Sequence, residues 1–156
     1  MSKDTTWMEG AIAAFDREGF KDGDLISHEW LDWALDMPAP ATVAEYEKAR
    51  WEERSRLKSF FTYLMEERCI VVANVWGEGY RIVPPDDQAG FAIHALTRVI
   101  NKSLSKTQRI LAHARFDEMS DEGARRHVDA QARVAGFQQL MNRQQKRLTL
   151  PFHPAE

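Results

Sequence analysis

The sequence predicts a mainly α-helical chain that contains a small β-hairpin, an α+β class. Three observations favour this class. Apolar residues recur at helical spacing in several long segments. A β-branched run, CIVVANV, precedes a glycine turn, WGEG, and a second extended run, YRIV. Residues 1–90 carry ten Lys/Arg against eighteen Asp/Glu, a net charge of −8, whereas residues 91–156 carry eleven against six, a net +5. This change of sign predicts a division near Pro84-Pro85.

Length and composition suit one domain of ordinary size or a small domain with a helical extension. The 156 residues are 44% apolar, which is enough to form a core. The N-terminal residues, MSKDTTWMEG, contain no apolar run, so neither a signal peptide nor a membrane span is expected. The single cysteine, Cys69, excludes a disulfide framework and favours a reducing, cytoplasmic setting. Because it lies in the apolar run CIVVA, we expect it to be a buried strand residue.

The first third of the chain predicts two helices joined by a short extended piece. Thr5 or Thr6 can cap the first helix, WMEGAIAAFDRE, and Gly19 ends it. The stretch GFKDGDLI indicates a turn and an extended segment. Ser27 is positioned to cap a second helix, HEWLDWALDM. The prolines of MPAPA then predict a rigid break, since each disfavours the helical conformation in the residue before it.

A third, longer helix is expected after this break. Thr42 and Glu45 form a capping-box pattern at its start. Trp51 marks a place where this helix could bend or break. Apolar residues give the second half a buried face, and these are Leu57, Phe60, Phe61, Leu64 and Met65.

Two further helical stretches follow the segment PPDDQAG, which we interpret as a solvated linker containing Asp86 and Asp87. The stretches run from Phe91 to Ala114 and from Asp121 to Arg147. They predict an antiparallel helical hairpin and a dimerisation arm. The predicted organisation is therefore a domain at 1–85, a helical hairpin at 86–147 and an extended tail at 148–156.

The hairpin residues and the order of the preceding elements resemble a winged helix-turn-helix domain. The segment NVWGEGYRI resembles the wing of the response-regulator DNA-binding family, in which a strand leads into Gly-x-Gly-Tyr-Arg, here residues 77–81. The resemblance covers roughly residues 5–84. It implies that helix 43–67 enters the major groove and that hairpin 70–83 is the wing, built on Trp76, Gly77, Gly79 and Tyr80. The glycines permit positive φ, and the aromatics are expected to clamp the hairpin onto the third helix. The alternative is a small hairpin with no DNA contact.

Basic side chains on the third helix are the candidate DNA contacts. Arg50, Arg54 and Lys58 are spaced i, i+4, i+8 and form one stripe. Arg56 lies nearby, and Arg81 leaves the wing. Acidic residues interleave with the stripe, so a solvated helix face with internal ion pairs is the alternative interpretation. A second basic set occurs in the C-terminal half and consists of Arg98, Lys102, Lys106 and Arg109.

The C-terminal segment RLTLPF resembles the bacterial sliding-clamp-binding peptide. Leu148, Leu150 and Phe152 would fill an apolar cleft of such a partner, and Pro151 would limit the entropy lost on docking. The segment departs from the pattern at Arg147, where glutamine is expected. The alternative is an end segment that packs on its own domain or on a partner subunit.

No pattern of catalytic residues is present. The five histidines lack metal-ligand spacing, and phosphate-loop, nucleophile-elbow and zinc signatures are missing from the sequence. We therefore expect no enzyme activity, no cofactor and no metal. The sequence favours a homodimeric DNA-binding regulator of transcription or replication, of a size that suits a phage or mobile element. The alternative function is an acidic protein-binding inhibitor or adaptor that targets a host protein.

Overall fold

A computed structural model of the chain describes residues 3–37 and 39–147. Its elements confirm a mainly helical chain with a small antiparallel sheet. In chain order they are α1 (Lys3–Glu18), β1 (Leu25–Ser27), α2 (His28–Ala34), α3 (Val43–Arg68), β2 (Val72–Val75), β3 (Gly79–Ile82), α4 (Pro85–Ala112), a 3₁₀ turn (Phe116–Glu118) and α5 (Asp121–Arg147). The chain divides into two compact units after Gln88.

The sheet has three antiparallel strands in the order β1-β3-β2. Tyr80 of β3 is the centre of the register, because it pairs with Ile26 of β1 and with Asn74 of β2. The predicted hairpin is confirmed: β2 and β3 are joined by three residues, and the Glu78 amide donates to the carbonyl of Val75 at 3.2 Å. The sequence had indicated only an extended piece at β1, not its pairing with β3.

The caps of α2 and α3 follow the sequence closely, whereas the prediction that Thr5 or Thr6 caps the first helix is wrong, because α1 already begins at Lys3. Gly19 ends α1 with φ +70°. Ser27 Oγ accepts from the Trp30 amide at 3.2 Å and starts α2. Thr42 Oγ1 accepts from the Glu45 amide at 3.3 Å. The Glu45 carboxylate reaches back one residue further than an ideal capping box, to the Ala41 amide at 2.9 Å. Helix α3 then runs without interruption through Trp51.

The core of the first unit joins α1, α2, the second half of α3 and the sheet. Its buried residues are Ala11, Phe15, Ile26, Leu31, Leu35, Phe60, Leu64 and Ile82. Aromatic rings fill much of this space: Phe15 packs edge-on against Phe60 with centroids 6.0 Å apart. Such a core fixes the end of α3 and the base of the hairpin against each other.

Two further predictions about local structure were wrong. Cys69 is not a buried strand residue; it is exposed and ends α3 in the left-handed conformation, with φ +56°. Strand β2 begins only at Val72. Asp86 and Asp87 are not linker residues, because α4 already begins at Pro85. Proline suits a first helical position, and carboxylates in the first turn interact favourably with the helix dipole.

The second unit contains the two long helices expected from the sequence. Ser120 caps α5, since its Oγ accepts from the Gly123 amide at 3.1 Å. His127 Nε2 lies 2.8 Å from the carbonyl oxygen of Leu111, whereas Gln145 Nε2 donates to Asn101 Oδ1 at 3.1 Å. Later residues of α5 therefore contact earlier residues of α4, so the two helices are antiparallel.

Candidate nucleic-acid interface

Helix α3 has two halves with different surroundings. Leu57, Phe60, Phe61 and Leu64 of the second half pack in or against the core. Residues 43–55 contribute nothing to that cluster, and most of their side chains are exposed. At 1.5 Å per residue this first half is about 20 Å long. The chain therefore presents a helical surface that its own core does not use.

Local interactions hold the first half of α3 in helical form. The Thr42 and Glu45 side chains satisfy backbone amides at its start. One turn later, the guanidinium of Arg50 lies over the Tyr46 ring, with Cζ 5.9 Å from the ring centroid. Helices without tertiary packing are marginal at this length, so the cap and the i,i+4 contact are needed locally.

The predicted cations Arg50, Arg54 and Lys58 are all exposed. Among the side chains that the structure describes, no ion pair joins any of the three to a carboxylate. Trp51 belongs to the same surface, because 51, 54 and 58 are spaced i, i+3, i+7. Its side chain is 73% exposed. The sequence analysis had treated Trp51 only as a possible bend, although its spacing from the cations was visible.

The interleaved glutamates differ in what they contact. Glu52 pairs with Arg56 and is half-buried, so it does not neutralise the exposed cations. The negative charge of Glu53 contributes to a raised pKa of the Tyr80 phenol, and the Glu53 side chain lines a cleft. Glu47 is exposed on the helix surface, at the i−4 position of Trp51. Glu47 thus lies on the same face as Arg54 and Lys58, and only Glu52 of the three glutamates is withdrawn from the exposed cations by an ion pair.

Arg56 does not belong with the other cations. Its Nη1 donates to the carbonyl oxygens of Leu35 and Asp36, both at 2.7 Å, where α2 ends. Its Nη2 donates to Glu52. Only 18% of its side chain is exposed. Because these contacts use its donors inside the protein, we remove Arg56 from the candidate DNA contacts.

The two aromatics of the hairpin have different positions. Tyr80 packs on α3, with its ring 4.6 Å from that of Phe61. Burial, together with the charge of Glu53, raises the pKa of the Tyr80 phenol above its ordinary value of 10.0. Trp76, at the tip, is 94% exposed. The expected clamp on the third helix therefore consists of Tyr80 alone, and Trp76 is presented outward.

Glycine is needed for different reasons at the two glycine positions of the hairpin. Gly77 adopts φ +78° in the turn, and a Cβ there would meet open space. Gly79 lies in β3 with φ +146°, and a Cβ there would stand 2.1 Å from the carbonyl oxygen of Ile26. Gly79 thus allows β1 and β3 to approach each other, a role that the turn pattern did not reveal.

Arg81 is separated from the α3 cations. Successive side chains of a strand point to opposite faces of the sheet. Tyr80 points to α3, so Arg81 points to the face away from it, where it is exposed. Its cross-strand neighbours are Leu25 and Ala73. If Arg81 binds phosphate, it does so from a different side of the hairpin than Lys58.

A cleft of about 660 Å³ lies between the α2–α3 connection and the first half of α3. Its lining combines cationic, acidic, aromatic and apolar side chains, among them Asp32, Met37, Tyr46, Arg50, Glu53 and Arg54. Within residues 3–37 and 39–147, no group of His, Cys, Asp and Glu side chains could hold a metal ion. No helix of that part of the chain has the length and apolar character needed to cross a membrane.

The remaining predicted residues lie in the C-terminal part of the chain. Arg98, Lys102, Lys106 and Arg109 are exposed along α4. The predicted partner-binding residues Leu148, Leu150 and Phe152 lie outside the described residues.

Comparison of the chain with protein-family models, with curated proteins and with solved structures found no match in any of the three. The geometry of the first unit, above all the exposed half of α3, is therefore the basis for assigning a function.

Proposed function

We propose that the chain is a small DNA-binding regulator of transcription or replication with a winged helix-turn-helix domain. The exposed N-terminal part of α3, from Val43 through Lys58, enters the major groove of double-stranded DNA, and the β2–β3 hairpin is the wing. Arg50, Arg54 and Lys58 contact phosphates or base edges. Trp51 and Trp76 add contacts that the sequence analysis did not assign.

The order of elements supports this proposal. The chain runs helix, strand, helix, helix, strand, strand through Ile82, which is the order on which the winged-helix resemblance was based. The pairing of β3 with β1 and the tilted packing of the Tyr80 ring against Phe61 fix the hairpin beside α3. A wing of this kind keeps its position relative to the helix that enters the groove.

The exposed first half of α3 is the observation that carries the proposal. A helix about 10–12 Å across fits the major groove, which is about 12 Å wide. Most helices of a small domain bury one face, yet residues 43–55 leave most side chains exposed, including Tyr46 and Trp51. Large aromatic side chains exposed together are typical of binding surfaces, and exposed cations beside them can bind phosphates.

The net negative charge of the first unit determines the specificity and the salt dependence expected of DNA binding. Residues 1–90 carry a net charge of −8, which repels DNA at a distance. Binding then depends on the local basic face and on specific contacts, and non-specific affinity is low. We expect few genomic sites and a steep dependence on salt.

The proposal is tested by incubating the full chain with sheared DNA from its source, at low and at physiological salt, and sequencing the retained fragments. Enrichment of a few sites that persists at physiological salt supports a regulator and identifies its operator. The double variant R54A/K58A should lose at least about tenfold in affinity for those sites.

The matched control is R17A/K21A, which removes the same charge from exposed positions in the last turn of α1 and in the loop that follows it. Equal losses in the two double variants would mean that net charge matters and the α3 face does not. Absence of retention at both salt concentrations would contradict the proposal. The acidic inhibitor or adaptor would then be the function to test, by capture of protein partners.

A further inference from the structure

An apolar surface runs along one side of the helical hairpin in the second unit. In α4 the more buried residues recur at heptad-like spacing, and these are Ile93, Thr97, Ile100, Leu104 and Leu111. A second stripe consists of Leu96, Val99 and Ile110, all more than half exposed. At 100° per residue the second stripe lies roughly a quarter-turn from the first.

Helix α5 has the same arrangement. Its less exposed positions include Ala130, Val134 and Met141, at the spacing of a helix that packs on one partner. Phe137 and Leu140 are exposed and lie roughly a quarter-turn away, in the same rotational sense as the exposed stripe of α4.

The two exposed stripes share one side of the hairpin. Two antiparallel helices are exchanged by a two-fold rotation about an axis perpendicular to the plane that contains them. This rotation leaves each side of the plane on the same side. Stripes displaced in the same sense on both helices therefore face the same way. From the contacts Leu111–His127 and Asn101–Gln145, Phe137 and Leu140 fall at heights between Val99 and Ile110. We call the five residues Leu96, Val99, Ile110, Phe137 and Leu140 the apolar face.

We propose that the apolar face binds the same face of a second copy of this chain, forming a four-helix interface. The size fits. Residues 89–112 of α4 give a helix length of about 36 Å, and two helices side by side are roughly 20 Å wide. The side of the hairpin that carries the apolar face therefore has an area of roughly 700 Å². A stable interface buries about 800 Å² per partner. A single peptide helix would cover only part of a surface this wide.

The distribution of charge also favours a second copy. The hairpin half of the chain is basic, with a net +5 for residues 91–156, so self-association through a basic side would be opposed. Arg98, Lys102 and Arg109 lie on the side of α4 away from α5, roughly a quarter-turn or more from the apolar face. Lys106 lies four residues before Ile110, on the same side as the apolar face. On α5 the stripe that carries Phe137 continues into ion pairs that neutralise themselves, Arg126–Glu122 and Arg133–Asp129. Of the four basic residues of α4, two copies therefore bring only Lys106 to the interface.

The test is sedimentation of the full chain over a range of concentrations. The chain has a mass of 18.0 kDa, so a species of twice that mass is expected. Leu140→Glu and Val99→Glu, on different helices, should each weaken dimerisation by about a hundredfold or more, since the charge enters the interface twice. Val128→Glu is the matched control: Val128 is 58% exposed, as is Leu140, but lies half a turn from Phe137 on α5.

The outcomes separate clearly. The inference is overturned if the chain stays monomeric up to about 100 μM, a concentration well above the dissociation constants of ordinary specific complexes. It is also overturned if the dimer persists in both variants. Equal effects of Val128→Glu and Leu140→Glu also count against it. Circular dichroism at 222 nm shows whether the helices persist in each variant, and these exposed positions should tolerate glutamate in the monomer. The inference does not rest on DNA binding, so failure of either proposal leaves the other testable.

Discussion

The guanidinium of Arg56 lies over the indole ring of Trp7, with its Cζ 5.4 Å from the ring centroid. The same guanidinium donates to the carbonyls of Leu35 and Asp36. One side chain of α3 therefore contacts both α1 and the end of α2. In this position it completes hydrogen bonds that the last turn of α2 cannot make for itself.

Replacing Arg56 should destabilise the first unit strongly. Arg56→Met keeps much of the side-chain volume but leaves two carbonyls without their charged donor, and we expect a loss of about 2–4 kcal/mol in the free energy of unfolding. Arg54→Met, on the exposed face, should change it by about 0.5 kcal/mol at most. Urea denaturation of both variants measures the difference. Similar midpoints for the two would show that the contacts of Arg56 carry little stability.

The two glycines of the hairpin should respond differently to the same change. Gly79→Ala places a Cβ against the carbonyl of Ile26 and should separate β1 from β3, at a cost of about 3 kcal/mol or more. Gly77→Ala meets open space and suffers only from its positive φ, about 1–2 kcal/mol. Thermal unfolding of the pair checks this order. A larger loss for Gly77→Ala would mean that the turn, not the β1–β3 approach, limits the hairpin.

Cys69 should be replaceable by glycine with a gain in stability. Its left-handed conformation at the end of α3 is one that glycine adopts without strain. The thiol is exposed, so its removal loses little packing. We expect Cys69→Gly to raise the free energy of unfolding by about 0.5–1 kcal/mol. Cys69→Ala, which keeps a Cβ, serves as the control and should show no gain.

The sequence could predict the features that depend on neighbouring residues. The Ser27 cap, the cap formed by Thr42 and Glu45, and the β2–β3 hairpin are all determined within a few positions along the chain. Each is confirmed because its physical cause, an unsatisfied amide or a required turn, is local. The position of β1 in the sheet is not local and was not predicted.

The roles of individual site residues depended on distant partners. Arg56 and Arg54 look alike in a helical pattern, and only the end of α2, about twenty residues earlier, distinguishes them. Tyr80 and Trp76 are both aromatics of one hairpin, but Tyr80 lies in β3 and packs against Phe61, whereas Trp76 lies in the turn between β2 and β3 and is exposed. Patterns of spacing identify a face of an element; they do not show which part of the chain covers it.

The ionisation of Tyr80 predicts a loss of stability at alkaline pH. Burial and the Glu53 carboxylate raise its pKa in the folded state above the ordinary 10.0. The stabilising contribution of the neutral phenol is therefore complete below pH 10 and is lost as pH rises through the folded-state pKa. Tyr80→Phe should show a shallower decline in urea midpoint between pH 9 and pH 11.5 than the unchanged chain. Identical declines would mean that Tyr80 ionises as freely in the folded state as in the unfolded chain.

Salt dependence should distinguish the aromatic from the cationic part of the α3 face. Lys58→Ala removes a phosphate contact, so the slope of log K against log salt should become shallower by about 0.9. Trp51→Ala removes an aromatic contact and releases no counterion; we expect weaker binding at every salt concentration with an unchanged slope. Both side chains are exposed, so neither change should disturb the fold.

Fluorescence anisotropy on an enriched DNA site at four salt concentrations gives both slopes. A change of slope for Trp51→Ala would mean that the indole acts only by placing neighbouring cations. No effect of either variant would move the DNA contact away from this face of α3.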